Sequence, residues 1–450
     1  TLPAFDGATH AIFATGGATA TVDTAVGLYG MTFNSDTNFV VANGDGAITL
    51  GTGGLAAKLP TTVSRTYRLD EDVAFAENQV WSVTNNGAGN ATLIVSGSLS
   101  DSNSIYTLTK YGNGPLVLAG NNSYDGLTTV KTGGVLRITH ANALGTTNGT
   151  TLVEDGGWIE MSGGINVPES FALYGDASTS YSGVLRSTGG SNVVSGLILN
   201  GSRIKCLDGS LDLTGGATGG QFVLGADGNT FIRISEKPIN LGGSTFFAHT
   251  GSWIILAVSN NVWGELEISG HFIRTDVDNA LAPAGLITVG SSPTSGVNLN
   301  GTKQTIGQLR CTATTAGTRI LFSPTPATLT VNQSTTTTFN GAITGAVNLV
   351  KTNTGSLILS NTNTSYGAFC VSNGALIVSG TGTFGMNSTN IVVGGTGTLT
   401  LSNAVAIADS AVVRMPAVGI STAKINVAPG VVERVGWLFY GDKMQRVGTY

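Results

Sequence analysis

Short runs in which apolar and polar residues alternate recur along the whole chain, for example at 92–95, 116–118, 135–138, 356–359 and 375–378. Glycine, asparagine, aspartate or threonine bounds each run, as expected for strands separated by turns. Period-two alternation predicts strands with one buried and one solvated face. No segment longer than about 11 residues has the 3.6-residue apolar period of a helix. The pattern therefore predicts an all-β protein.

An internal repeat shows how these strands are organised. Residues 108–145 return in degenerate form at 349–385, and both copies read Leu-x-Lys, a turn, an alternating strand, a polar turn and further strands. The clearest matched pairs are Lys110 with Lys351, Gly114 with Gly355, Leu116 with Leu357 and Leu118 with Leu359. A repeat unit without a helix indicates a β-solenoid. We expect turn residues 121–126 to form the exposed part of the first copy.

Short, evenly spaced strands also occur in sandwiches and propellers. Successive apolar pairs lie about 18–25 residues apart, which fits one coil of a three-sided solenoid, and no propeller-blade or immunoglobulin signature recurs. The predicted fold is a right-handed parallel β-helix with distinct end regions. We divide it into an N-terminal β region or cap at 1–80, a solenoid at 81–426 and a C-terminal cap or assembly segment at 427–450.

Composition restricts the classes of function. Only 10% of residues are charged and the net charge is -5, so no basic patch is expected and nucleic acid is excluded as a partner. Hydrophobic residues make up 41% of the chain, enough for a core. No apolar run reaches about 18 residues, so we expect no transmembrane segment. The three cysteines, Cys206, Cys311 and Cys370, lack metal-ligand spacing and are interpreted as buried free thiols, with one disulfide as the alternative.

Candidate chemistry is sparse. Asp70 and Asp72 share one face of a strand in the densest acidic cluster and could bind Ca²⁺ through their oxygens, although a solvated turn or cap is the simpler interpretation. Glu265 and Glu267 form another one-face pair, without the histidine and arginine that a lyase site would add. No nucleophile elbow or phosphate-binding loop occurs. We therefore expect no enzymatic activity.

The first copy of the repeat resembles the autotransporter-associated β-strand repeat. The residues that match its pattern are Gly112, Gly114, Leu116, Leu118, Gly120, Asn122, Tyr124, Gly126, Thr128, Val130, Gly134, Leu136, Ile138 and the Asn-Ala-Leu-Gly at 142–145. The second copy keeps Gly355, Leu357, Leu359, Tyr366, Val371, Gly374, Leu376 and Val378. The resemblance implies a secreted or surface-exposed bacterial protein with a right-handed parallel β-helix.

From these observations we expect a secreted structural protein that builds or decorates an extracellular fibre, filament, sheath or surface layer. The expected partner is another copy of the chain, because solenoid ends expose strand edges that join head to tail. The residues predicted to form the assembly contact are Trp437, Phe439, Tyr440 and Tyr450, since aromatic residues are enriched in interfaces. Capping of the last coil is the competing role for the same side chains.

Two alternatives remain open. The first is a carbohydrate-binding or carbohydrate-cleaving β-helix, whose groove would be lined by Trp158, Trp253 or Trp263 beside carboxylates such as Glu265 and Glu267. The second is a cell-surface adhesin that binds through its lateral face, with cell-surface glycans as partners.

Overall fold

Parallel strands stack into a β-solenoid of about 18 turns, with about 53% strand and no helix among the described residues. The structure is a computed structural model that describes residues 7–14, 19–175, 183–200, 202–290, 292, 294–311, 320–385, 388 and 390–446. The parallel β-solenoid predicted from the repeat is therefore confirmed.

The chain divides into two compact units. Unit 1 comprises Thr1–Gly219 and Asp227–Ile232, and unit 2 comprises Gly220–Ala226 and Arg233–Tyr450. The division falls within one strand, Phe222–Ile234, and not at residues 80 and 426. The assignment of 1–80 as an N-terminal β region or cap, and of 427–450 as a C-terminal cap or assembly segment, stays a prediction.

The strands of unit 1 are β1 (His10–Phe13), β2 (Thr19–Thr21), β3 (Val26–Phe33), β4 (Phe39–Ala42), β5 (Ile48–Lys58), β6 (Arg65–Leu69), β7 (Val73–Phe75), β8 (Gln79–Thr84), β9 (Ala91–Val95), β10 (Leu99–Ser100), β11 (Leu108–Tyr111), β12 (Pro115–Leu118), β13 (Thr128–Val130), β14 (Val135–Ile138), β15 (Thr150–Val153), β16 (Trp158–Met161), β17 (Asn166–Val167), β18 (Ser170–Leu173), β19 (Leu185–Val194), β20 (Ile198–Leu199), β21 (Arg203–Leu213) and β22 (Ala217–Thr218). Strand β23 (Phe222–Ile234) contributes residues to both units.

The strands of unit 2 are β24 (Ile239–Asn240), β25 (Thr245–Leu256), β26 (Glu265–Ser269), β27 (Phe272–Thr275), β28 (Leu286–Val289), β29 (Gly296–Asn298), β30 (Lys303–Ile306), β31 (Gln308–Cys311), β32 (Ile320–Asn332), β33 (Thr336–Phe339), β34 (Ala342–Thr352), β35 (Ser356–Leu359), β36 (Phe369–Val371), β37 (Ala375–Val378), β38 (Asn390–Val393), β39 (Thr398–Leu401), β40 (Val412–Met415), β41 (Lys424–Val427), β42 (Trp437–Tyr440) and β43 (Lys443–Met444).

The core of each unit consists of columns of inward-facing side chains, one from each coil. In unit 1, strands β9, β12, β14, β16, β19 and β21 pair in parallel, one coil after the next. Their register stacks Leu116 on Leu136, then Ile159, Leu185 and Ile204, all fully buried. Burying a side chain of this size contributes about 1.5–3 kcal/mol. The alternation in the sequence therefore becomes a continuous apolar column.

Buried amide side chains hold the corners between strands. The Oδ1 of Asn122 accepts a hydrogen bond from the Leu99 amide in the preceding coil (2.9 Å), and its Nδ2 donates to the Ala143 carbonyl in the following coil (2.6 Å). Asn261 makes the same pair of bonds in unit 2, to the Ile239 amide and the Ala280 carbonyl. Each amide satisfies backbone groups that the strand ladder leaves unpaired, as buried polar groups require.

The corner of the first repeat differs from the expectation that residues 121–126 are exposed. Asn122, Tyr124 and Gly126 are buried, whereas Asn121 and Ser123 are exposed. The expectation was wrong because the period-two alternation continues through the turn. Every second residue of this corner therefore faces the interior.

Gly126 illustrates how closely successive coils approach at this corner. A Cβ atom placed there would overlap the carbonyl oxygen of Tyr106 in the preceding coil, and a Cβ at Gly367 would overlap that of Val347 in the second repeat. The repeat therefore needs glycine at this position for close backbone approach.

We expect Gly126→Ala to lower the free energy of unfolding by about 3 kcal/mol, because the added methyl group forces the two coils apart. Urea denaturation followed by circular dichroism measures the change. Gly394→Ala is the matched control, because nothing lies within 4 Å of a Cβ at that position. Equal destabilisation by the two variants would contradict the steric explanation.

Candidate functional site

Among the described residues, the coil of unit 2 that contains β41 and β42 covers its apolar columns only partly. Leu357, Leu376 and Leu399 form a fully buried column, and the next position in register, Ile425 on β41, is only partly buried. A second column continues in the same way to Leu438 on β42, which is also partly buried. Within the described part of the chain, core positions of this coil are therefore partly exposed.

Several large apolar side chains around this coil are exposed. They are Val418, Ile420, Val427, Val432 and Trp437, which we call the end surface. Val418 and Ile420 lie between β40 and β41, and Val432 lies between β41 and β42. Exposed large apolar side chains become protein interaction sites where they form a patch.

A short hairpin modifies one strand edge at this end. β42 pairs with β40 in parallel and with β43 in antiparallel orientation, through Phe439 with Met444 and Tyr440 with Lys443. An antiparallel strand at the end of a parallel sheet blunts the edge against further pairing. By contrast, β41 pairs only with β39 among the described strands, so its outer edge stays open.

The aromatic residues predicted for assembly fall into three groups. Trp437 is exposed and belongs to the end surface, and it does not pair with β43 in the hairpin. Phe439 and Tyr440 are half-buried in the hairpin, and the Arg414 guanidinium lies 4.5 Å from the centre of the Phe439 ring. Tyr450 lies outside the described residues. An assembly role stays a prediction for all four.

The acidic cluster of unit 1 is engaged in protein contacts. Arg68 donates two hydrogen bonds to the carboxylate of Asp70, the shorter at 3.0 Å, and Asp72 accepts one from the Ser98 amide at 2.7 Å. Glu71, between them, is buried. Within the described residues, no three His, Cys, Asp or Glu side chains group in a way that could hold a metal ion. Calcium binding at Asp70 and Asp72 stays a prediction.

The tryptophans proposed for a carbohydrate groove have different environments. Trp263 is buried against Phe246, with 5.4 Å between ring centres, whereas Trp253 is half-exposed and stacks on Phe272. Glu265 is held by hydrogen bonds from Thr288 and Arg310. Within unit 2, the structure thus assigns Trp263 to the core and Glu265 to a polar network.

A ladder of charged residues lies on the lateral face of unit 1. The register of β14, β16, β19 and β21 places Arg137, Glu160, Arg186 and Lys205 side by side. Glu160 accepts hydrogen bonds from Arg137 Nε (2.6 Å) and from the Nε1 of Trp158 (3.0 Å), and Arg186 Nη1 lies 3.5 Å away. The Arg186 guanidinium also covers the Trp158 ring at 4.4 Å. Burial lowers the pKa of Arg186, and the neighbouring Glu160 partly opposes that shift.

Each repeat contains a buried lysine whose role the sequence did not reveal. Lys110 Nζ donates to the carbonyl oxygens of Tyr111 (2.5 Å) and Gly112 (2.6 Å). Lys351 Nζ donates in the same way to Thr352 (2.6 Å) and Asn353 (2.9 Å). Burial lowers the pKa of Lys110 to about 7 and that of Lys351 to about 8. A signal was present, because the Leu-x-Lys alternation places each lysine on the same face as a core leucine.

The two repeats fill the same interior volume differently. In the first copy Tyr124 is buried and its hydroxyl lies 2.7 Å from Thr128 Oγ1. In the second copy Ser365 occupies the tyrosine position and Phe369 the threonine position, and both are buried. Tyr366, which the resemblance matched to the family tyrosine, is exposed. That match was wrong, because the tyrosine is shifted by one residue to the outer face.

Unit 1 also contains a buried carboxyl group. Thr151 Oγ1 donates to Glu169 Oε1 at 3.4 Å, and Oε2 has no hydrogen-bond partner among the described residues. Burial raises the pKa of Glu169 to about 7. The three cysteines are free thiols, with Cys206 and Cys311 buried and Cys370 half-buried. This agrees with the free-thiol interpretation and not with a disulfide.

The passenger-associated-transport-repeat family model matches residues 108–138 and 349–378, which are the two repeat copies. These matches and the parallel solenoid support a passenger-type β-helix. They are consistent with the autotransporter-associated β-helix protein that the sequence predicted. No curated protein and no solved structure matches the chain. Among the described residues, no helix is long and apolar enough to cross a membrane.

The buried lysine predicts a pH dependence of stability. The folded-state pKa of Lys110, about 7, lies below its ordinary value of 10.5, so the unfolded chain binds more protons between these values. The free energy of unfolding therefore gains a contribution from Lys110 that rises with pH, by about 1.4 kcal/mol per pH unit at most. We expect Lys110→Met to remove this contribution, measured by urea denaturation between about pH 7 and pH 8.5.

The slope of the free energy of unfolding against pH is compared between the wild type and Lys110→Met. Their difference cancels the contributions of Glu169 and the other titrating groups, which both proteins share. Lys303→Met is the control, because Lys303 is exposed. A slope for Lys110→Met equal to that of the wild type would show that burial does not perturb Lys110.

The alternative packing of the repeats predicts an energetic coupling. Tyr124→Ser alone should lower the free energy of unfolding by about 3–5 kcal/mol, because it leaves a cavity. Adding Thr128→Phe should recover more than half of that loss, since the second repeat fills its interior in this way. A double-mutant cycle in urea measures the coupling.

Tyr111→Ser serves as the control for loss of a tyrosine, because Tyr111 is exposed. We expect a change within about 0.5 kcal/mol for that variant. Simple additivity of the Tyr124 and Thr128 substitutions would contradict the shared-volume explanation.

Proposed function

We propose that the protein is a secreted, non-enzymatic structural solenoid that associates with further copies of itself through the end surface. The passenger-associated repeat family suggests a secreted or surface protein, which supports the location. The observation that carries the proposal is the partly covered coil of β41 and β42, in which the core columns reach the partly exposed Ile425 and Leu438.

The open edge of β41 favours addition of a parallel strand. Its backbone groups on the outer side have no strand partner among the described residues. Hydrogen bonds to a further strand would satisfy them, as they do between the coils within unit 2. The covered edge of β42 supports addition on the β41 side rather than at β42.

The occupant that fits this end is the first coil of another copy. At the N-terminal end of unit 1, β1 pairs only with β3 among the described strands, and Ile12 on β1 is exposed. Neighbouring strands of parallel sheets share one spacing, so a strand of another copy fits beside β41. Contact between two different ends is heterologous, and such a contact produces filaments unless its rotation closes a ring.

We expect Ile420→Asp to weaken self-association of the protein about 10- to 100-fold, because burying an isoleucine contributes about 1.5–3 kcal/mol. Sedimentation velocity over a range of concentrations measures the association, and electron microscopy shows its form. Ile105→Asp is the matched control, because Ile105 on unit 1 and Ile420 are both 77% exposed.

The wild type and Ile105→Asp should form longer assemblies as concentration rises, whereas Ile420→Asp should do so only at about 10- to 100-fold higher concentration. A wild-type protein that is monomeric at every concentration would refute the proposal. Equal weakening by both substitutions would show that the end surface is not the contact.

A further inference from the structure

A groove crosses successive coils on the lateral face of unit 1. Two adjoining cavities, of about 470 and 280 Å³, share Arg137 and Glu160 as lining residues. The lining side chains come from β9, β12, β14, β16 and β19 and from residues that flank β8, β9, β12, β14 and β16, so the groove runs across strands that follow one another in the stack. A groove in this direction suits a linear polymer more than a compact small molecule.

Arg137 is the cationic group among the lining residues of both cavities. Its Nε donates to Glu160 at 2.6 Å, and its two terminal nitrogens have no partner among the described residues. The side chain is 45% exposed. A guanidinium in this state offers two parallel donors, the arrangement that binds a carboxylate in bidentate fashion.

The negative charge of Glu160 is already neutralised. Besides Arg137, it is approached by Arg186 and by the indole of Trp158, and neither arginine has another carboxylate in contact among the described residues. Lys205, next along the ladder, pairs with Asp227 at 3.0 Å. The ladder therefore carries one more positive than negative charge, which favours an anionic ligand.

The remaining lining groups suit a ligand rich in hydroxyl groups. Thr139 and Ser162 line the larger cavity, and Asn90 and Thr92 line the smaller one, and their side chains have no partner among the described residues. Pro115 adds an apolar surface beside them. Hydroxyl and amide side chains next to an apolar surface match the mixed polar and C–H faces of a sugar ring.

We propose that this groove binds an acidic oligosaccharide, with the terminal nitrogens of Arg137 pairing with a sugar carboxylate. Thr139, Ser162 and Asn90 bond to the ring hydroxyls. The site is separate from the end surface, so its occupation does not depend on self-association.

Titration calorimetry of the full chain with trigalacturonate, at low salt, tests this proposal. Its methyl ester is the matched neutral ligand, because it keeps the sugar hydroxyls and removes the carboxylate charges. We expect the acid to bind, the ester to bind at least tenfold more weakly, and added salt to weaken binding of the acid.

Arg137→Gln should weaken binding of the acid at least tenfold, and Arg137→Lys should weaken it less, because it keeps the charge but loses the bidentate geometry. Arg68→Gln is the control, because Arg68 is also 45% exposed and paired with a carboxylate on the same sheet. Ser162→Ala, which leaves the ion pairs intact, should weaken binding two- to fivefold, by roughly one neutral hydrogen bond.

The proposal is overturned if the acid does not bind at millimolar concentration, or if the ester binds as tightly as the acid. Equal effects of Arg137→Gln and Arg68→Gln would also overturn it, since the binding would then be non-specific attraction to positive charge. If Arg137→Gln fails to fold, unchanged binding by Ser162→Ala would count against the groove.

Discussion

The hydrogen-bonded ladder between successive coils is the interaction on which every other feature of this protein depends. Each described coil satisfies its backbone groups by pairing in parallel with the coils before and after it, with the register seen in β12, β14 and β16. This pairing fixes which side chains stack on one another, and it leaves unsatisfied groups only at corners and ends. The corner amides and the buried lysines bond to backbone groups that would otherwise lack a partner at the corners, and the end surface lies where the pairing stops.

The interior therefore combines apolar columns with polar groups that serve the backbone. Asn122 and Lys110 are buried because they bond to amides and carbonyls that the strands cannot pair. Such groups are costly unless bonded, so they specify the position of each corner more strongly than leucine does. Glu169 differs, because one of its oxygens has no protein partner among the described residues. Its pKa of about 7 means that it becomes charged, and less compatible with burial, near neutral pH.

Sequence reasoning predicted the fold because alternation and repetition are local properties. It also predicted that alternate residues of each strand are buried, as Leu116 and Leu357 are. It did not predict the Arg137–Glu160–Arg186 ladder, because these residues lie in different coils and meet only through the register. Coil length varies, with corner bonds spanning 23 residues at Leu99–Asn122 and 20 at Ile343–Asn363, so the register is not readable from spacing.

The exchange of Tyr124 and Thr128 for Ser365 and Phe369 bears on how such a chain diverges. An aromatic residue at one position of a coil can be replaced by a small one when an aromatic residue replaces a small one at a second position, and the backbone path stays the same. Paired exchanges of this kind erase the recognisable motif while the scaffold persists. In a chain of about 18 turns, two segments match the family model. Relationships between solenoids are then better detected from the geometry of their coils than from their amino-acid sequences.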